Sequence, residues 1–212
     1  MTTLPMSPLP LGQALPALAR CAVTTARLMA RRQLHQPTQY LGRRVRFADG
    51  TTGVVYRETV IDHGIVSEPA VLLVEFRLRG VHGRGHAVFR AESLLNTPLF
   101  VGFPGFVSKL WLAHDQRGVY RGVYEWDDPA LAHAYARALW WVLALVSERG
   151  SIHYTVAPAR TRDGLLAGGE TDDGAWWRVT AVRRARAARS RVEGPGPFGD
   201  SGRCARSGPR RS

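Results

Sequence analysis

The chain has 212 residues, 45% hydrophobic and 22% charged, proportions of a globular protein with a buried core that exclude a fibrous or wholly disordered chain. Its net charge of +12 suggests a nucleic-acid binder until the charge is located: residues 178–212 hold ten arginines against Glu193 and Asp200, leaving only +4 for the rest. Two cysteines, Cys21 and Cys204, are too few and too far apart for a disulfide framework or a CxxC metal site.

In chain order, residues 1–15 are rich in proline and leucine and read as poorly ordered. A helix is predicted over about 16–34, with Leu18, Cys21, Ala22, Thr25 and Met29 on one face and Arg20, Arg27 and Arg31 opposite. Such a helix could lie on a membrane surface. Docking on its own domain is the preferred reading, because the apolar face lacks the large anchors that interfacial helices use, and no membrane partner is expected. A small hairpin follows over about 43–60, its turn marked by Asp49-Gly50. Residues 1–69 thus form an N-terminal extension. The next strand spans 71–78.

The glycine-rich stretch 80–86 has the order G-x-x-G-x-G, which is not the dinucleotide fingerprint. Its His82 and His86 would bind zinc only on a helix, which the glycines disfavour, so no metal is expected. A helical segment near Phe89 is broken at 96–98 by Pro98. Residues 104–127 then alternate as two strands around the turn 114–118. Asp127-Asp128-Pro129 opens a helix that runs to about residue 147, with Gly150 as its left-handed stop. Leu131, Tyr135, Ala138, Val142 and Leu145 share one face and His133, Arg137, Trp140 and Ala144 the other. A strand is predicted over 151–157 and an extra one over 175–182, where Trp176 and Trp177 point to opposite faces. The arginine-rich end, 183–212, has the composition of a disordered tail, and nucleic acid is disfavoured as a partner. The longest apolar run, 138–146, is too short to span a bilayer, and the N-terminus lacks a basic start followed by an apolar stretch. The expected location is cytoplasmic.

The order strand, helix, strand, strand, helix, strand over 70–182 predicts an α+β protein with a ferredoxin-like βαββαβ antiparallel sheet and two helices on one face. Apolar residues alternate onto both faces, so the second face needs a cover. A second copy is the economical one, giving a homodimer through the sheet face.

The run 104–111, Pro-Gly-Phe-Val-Ser-Lys-Leu-Trp, followed by 118–126, Gly-Val-Tyr-Arg-Gly-Val-Tyr-Glu-Trp, and an alanine-rich helix with Tyr135 resembles the YdhR-like monooxygenases of the dimeric α+β barrel superfamily. The resemblance covers about 71–157. It implies oxidation of a small aromatic or quinol-type molecule by O₂ without metal, flavin or other cofactor, in a dry pocket between sheet and helices. Pocket candidates are Trp111, Tyr120, Tyr124 and Trp126; catalytic candidates are Tyr124, His114 and His153. The register of the hairpin leaves the face of Trp111 open. Trp126 and His133 loosely resemble the tryptophan and helical histidine of haem-degrading relatives, but their first-strand asparagine has no counterpart in 71–78. The competing reading is a non-catalytic ligand-binding or structural dimer of the same fold.

Overall fold

The fold is built on a curled antiparallel sheet, seen in a computed structural model that describes residues 8–81, 97–168 and 175–184. Its centre is β4 (Ala70–Arg77), β5 (Phe106–Leu112), β6 (Val119–Trp126) and β7 (His153–Pro158), in the order β7-β4-β6-β5. β4 and β6 pair over their full length, from Ala70↔Trp126 to Arg77↔Val119, so alternate side chains stack in matching rows. The helix expected near Phe89, with His82 and His86, falls outside the described residues.

One face of this sheet carries Leu72, Val74, Tyr124 and Trp126 and packs beneath α2 (Pro129–Val146). Asp128 caps that helix, its Oδ1 accepting from Ala130 N (2.5 Å) and Leu131 N (3.2 Å), and Pro129 follows at the first helical position. The inward side chains are Ala132, Tyr135, Ala136, Leu139 and Leu143, about a quarter turn from the predicted face, and Leu145 is 79% exposed. The helix does not stop at Gly150. It ends at Val146, where Ser147 N bonds Leu143 O and Ser147 bridges to Leu78.

α1 (Leu11–Ala30) begins five residues before Pro16, earlier than predicted, and retains that proline inside. It approaches the protein through small residues. Ala14, Cys21 and Thr25 are buried, and a Cβ on Gly102 would collide with backbone atoms of Cys21 and Thr25. The predicted inward residue Met29 is exposed instead.

The second face carries Val71, Leu73, Leu110 and Val123, all at most 1% exposed. The N-terminal hairpin of β2 (Arg43–Phe47) and β3 (Thr52–Ile61) continues the sheet past β5, with the two-residue β1 (Leu34–His35) paired to β3. β8 (Val179–Arg184) pairs with β2. Val45, Phe47, Val179, Trp177 and Leu165 of α3 (Arg162–Leu166) close over the second face as a separate core. The face assigned in the sequence to a second copy is covered by β2, β3, β8 and α3 of the same chain. Trp176 and Trp177 precede β8 in a turn, and both pack on this second core instead of facing opposite ways. α2 is long and apolar enough by composition to cross a membrane, but one side of it is spent on the sheet.

Because α1 is seated on the Cα of Gly102, Gly102→Ala should lower stability by about 1–3 kcal/mol. The urea midpoint should fall, and the shielded Cys21 thiol, which burial pushes up to about 11, should become reactive to thiol reagents.

Candidate functional site

A β-bulge between Phe106 and Ser108 decides what faces the helices on β5. It shifts Phe106 out of phase with Ser108, Leu110 and Leu112 and into the core of Trp111, Tyr124 and Trp126. The same register sets Lys109 directly opposite Tyr124 on β6 and opposite Thr59 on β3.

Lys109 is the only lysine in the sequence and is 4% exposed. Its Nζ lies 3.0 Å from the ring centroid of Trp111, 4.3 Å from Phe100 and 4.4 Å from Tyr124. Among the described residues no carboxylate pairs with it. A second cation, Arg57, has its guanidinium 5.3 Å from the centroid of the same Trp111 ring and donates to Thr97 Oγ1 at 2.5 Å. Burying an ammonium costs several kcal/mol, against about 2 kcal/mol returned by a dry ring face. Burial first, and then repulsion from Arg57, hold the Lys109 amine well below the usual lysine range. Arg57 itself is lowered by burial.

Tyr124 donates nothing to Lys109. Its hydroxyl accepts from Tyr135 Oη at 3.4 Å, and burial pushes both phenols up. Its ring lies over Gly122, where an added Cβ would stand 2.6 Å from Tyr124 Cε2. Trp126 is fully buried one layer away, edge-on to Phe106 and tilted on Tyr135. The Nε1–H groups of Trp111 and Trp126 and the Oγ1 of Thr59 are buried without a partner among the described residues, leaving hydrogen-bonding capacity in an apolar core. A pocket of about 340 Å³ bounded by Pro37, Leu41, Tyr56, Arg57 and Glu58 adjoins this cluster through Arg57.

The other sequence candidates lie elsewhere. Tyr120 shares the face of Tyr124, but about 13 Å along the strand, stacked on Phe76 at 5.9 Å with His114 edge-on at 5.4 Å. His114 sits in the hairpin turn, its Nδ1 3.0 Å from Asp115 O. His153 is exposed and opposes Glu75, on the second face of the sheet, so the sheet stands between it and Tyr124. It borders a polar cleft in which Arg121 pairs with Asp115 (3.0 Å) and Glu75 (3.2 Å), a network tying the β5–β6 turn to Asp49 of the β2–β3 turn. His133 meets Tyr154 Oη at 3.3 Å on the outside of α2, remote from Trp126, and burial lowers its pKa. Among the described residues no group of three or more metal ligands comes together.

Lys109 and Arg57 are what sequence reasoning missed. The signal for Lys109 was present: one lysine in an arginine-rich chain, in the middle of an all-buried strand. Arg57 gave no comparable sign, because the β3 bulge between Val55 and Arg57 sets its face.

No family profile matches the chain, and no curated protein matches it. Among solved structures it is similar to an uncharacterized ferredoxin-fold protein related to antibiotic biosynthesis monooxygenases from Listeria monocytogenes 4b F2365, at 14% identity and a TM-score of 0.37. The match covers 53% of this chain and 66% of that one, just under two thirds of its length. The likeness transfers no residue role.

A lysine with a depressed pKa makes the fold pH-dependent in a defined direction. Between its folded pKa and about 10.4 the unfolded chain binds more protons than the folded one. Lys109 therefore makes stability rise with pH through that window and fall as acid protonates the buried amine. Lys109→Met, of similar volume, should raise the urea midpoint at neutral pH and flatten its rise towards pH 10; an unchanged pH slope would mean the amine is not buried.

Proposed function

We propose that the chain binds a small acidic aromatic molecule, a phenol or quinol, against Trp111 and Tyr124, and oxidises it with O₂ without a bound metal or flavin. The observation that carries this reading is the Lys109 amine, held among three ring faces with no counter-ion among the described residues and biased toward its neutral, proton-accepting form. A neutral amine in a dry apolar site is a base matched to a phenol. Transfer of the phenol proton to Nζ gives an ammonium–phenolate pair, each supplying the partner the other lacks. The phenolate is electron-rich enough to reduce O₂. One oxygen atom enters the ring, the other leaves as water with two substrate hydrogens, and the phenol becomes a quinone. Arg57, beside the same tryptophan, favours the anionic form. The unpaired Trp111 Nε1–H and Thr59 Oγ1 are available to hold a substrate oxygen.

This reading extends the YdhR-like resemblance and the βαββαβ order, to which the strand order β7-β4-β6-β5 and the position of α2 lend support. The second reading, a non-catalytic binder of the same class of molecule, uses the same cage, since a cation and three aromatic faces are enough to retain an aromatic anion.

Oxygen uptake with a panel of phenols and quinols separates the two. Wild type should consume O₂ with kcat/KM rising as Lys109 loses its proton, and Lys109→Met should lose about 10²–10⁴-fold. Tyr124→Phe should change KM, while His153→Ala should leave the rate unaltered. Saturable binding of the phenols with no oxygen uptake above background would select the binder, and no binding at all would end both.

A further inference from the structure

We propose that Lys109 is a modification site for dissolved carbon dioxide: its amine takes up CO₂ as a carbamate, which the Arg57 guanidinium holds. The strand registers gather the groups needed for this on one face of the sheet. Between β3 and β5, Arg57 opposes Trp111 and Thr59 opposes Lys109; on β6, Gly122 and Tyr124 oppose the same two residues. Directly opposed residues share a face, so Arg57 and Thr59 enter the same aromatic layer as Lys109. Nζ of Lys109 is 3.0 Å from the Trp111 ring centroid and the Arg57 guanidinium 5.3 Å from it. In that layer the Thr59 Oγ1 and the Trp111 Nε1–H are buried with no partner among the described residues. Glu58, beside Arg57 in the chain, belongs to the other face: it opposes Leu110, and its carboxylate is taken by Arg162 (3.0 Å) and Tyr40 N (3.3 Å). A guanidinium and two hydrogen-bonding groups thus surround the amine, and no carboxylate among the described residues pairs with it.

Chemistry selects the ligand. An anion arriving from water would have to shed its hydration shell to enter this layer, at a cost of several kcal/mol. CO₂ enters uncharged and becomes the anion in place. The Nζ lone pair forms the N–C bond, one C=O electron pair moves onto oxygen, and one Nζ–H proton leaves to water; nothing is oxidised or reduced. Only the unprotonated amine has that lone pair, and burial favours this form here. The product places a negative charge beside Arg57, and its oxygens accept from the guanidinium, Thr59 Oγ1 and Trp111 Nε1–H. A carbonyl compound would meet the same nucleophile, but its protonated imine would set a second cation beside Arg57. The surrounding charge therefore favours the carbamate. Carbamate formation rests on this cluster alone; in the phenol reading above it would also withdraw the base and slow oxygen uptake.

The test is chemical trapping on the full chain, without any phenol present. Wild type in bicarbonate buffer and in CO₂-free buffer is treated with triethyloxonium, which converts a carbamate to a stable ethyl ester, and the ester is located by peptide mass spectrometry. Lys109 is the only lysine in the sequence, so the N-terminal α-amine serves as the internal positive control. An ester should appear on Lys109 in bicarbonate and be absent from CO₂-free buffer. It should also vanish from chain unfolded in guanidinium chloride, where the amine returns to a pKa of about 10.4. Arg57→Gln should lower its yield about tenfold, and Thr59→Val, which keeps the shape and removes the hydroxyl, should lower it several-fold. An ester on the N-terminal amine with none on Lys109 would overturn the proposal. So would a Lys109 ester whose yield neither Arg57→Gln nor Thr59→Val reduces.

Discussion

A sheet with apolar side chains on both faces must be covered twice, and the two covers here differ in kind. On one face α2 and α1 enclose tryptophans, tyrosines, an amine and a guanidinium. On the other, β2, β3, β8 and α3 enclose valines, leucines and a tryptophan. The strands are shared, so each residue's phase along β5 and β6 assigns it to the helix-side core or to the second core. Two bulges, at Phe106/Ser108 and Val55/Arg57, set that assignment where plain alternation would have made a different one.

Within the helix-side core the buried Lys109 amine costs stability. A methionine in place of Lys109 would pack the same volume without a desolvation cost, and among the described residues no carboxylate pairs with the amine to offset that cost. Elsewhere the chain does place them: Arg121 is met by Asp115 and Glu75, and Arg162 by Glu58 at 3.0 Å. Buried cations in this fold are paired where they serve the scaffold. The exception lies among the aromatic rings, which is where a substrate proton would need somewhere to go.

The elements were largely legible because alternation, a capping aspartate and an N1 proline act locally. The β5–β6 hairpin and α2 follow from a few neighbouring residues each. What could not be read was phase and cover. The inward face of α2 depends on how much room the sheet's rings leave, and the cover of the second face depends on β2 and β8, segments more than a hundred residues apart. Of the site, Trp111, Tyr124 and Trp126 were legible as aromatics of one hairpin. His114 and His153 were chosen for their chemistry, and only the fold reveals that one lies in a turn and the other behind the sheet. Lys109 is visible as the one lysine of the chain, but its burial is not written in any single letter.

The bare position at Gly122 has a consequence for how the molecule could diversify. The phenol ring of Tyr124 rests where a neighbouring side chain would otherwise stand, so the floor beneath the amine is defined by a missing atom. Chains that kept every ring but gained a methyl there would have to move the Tyr124 ring, which lies 4.4 Å from Nζ, so the packing around the amine would be reset from the smallest residue in the strand.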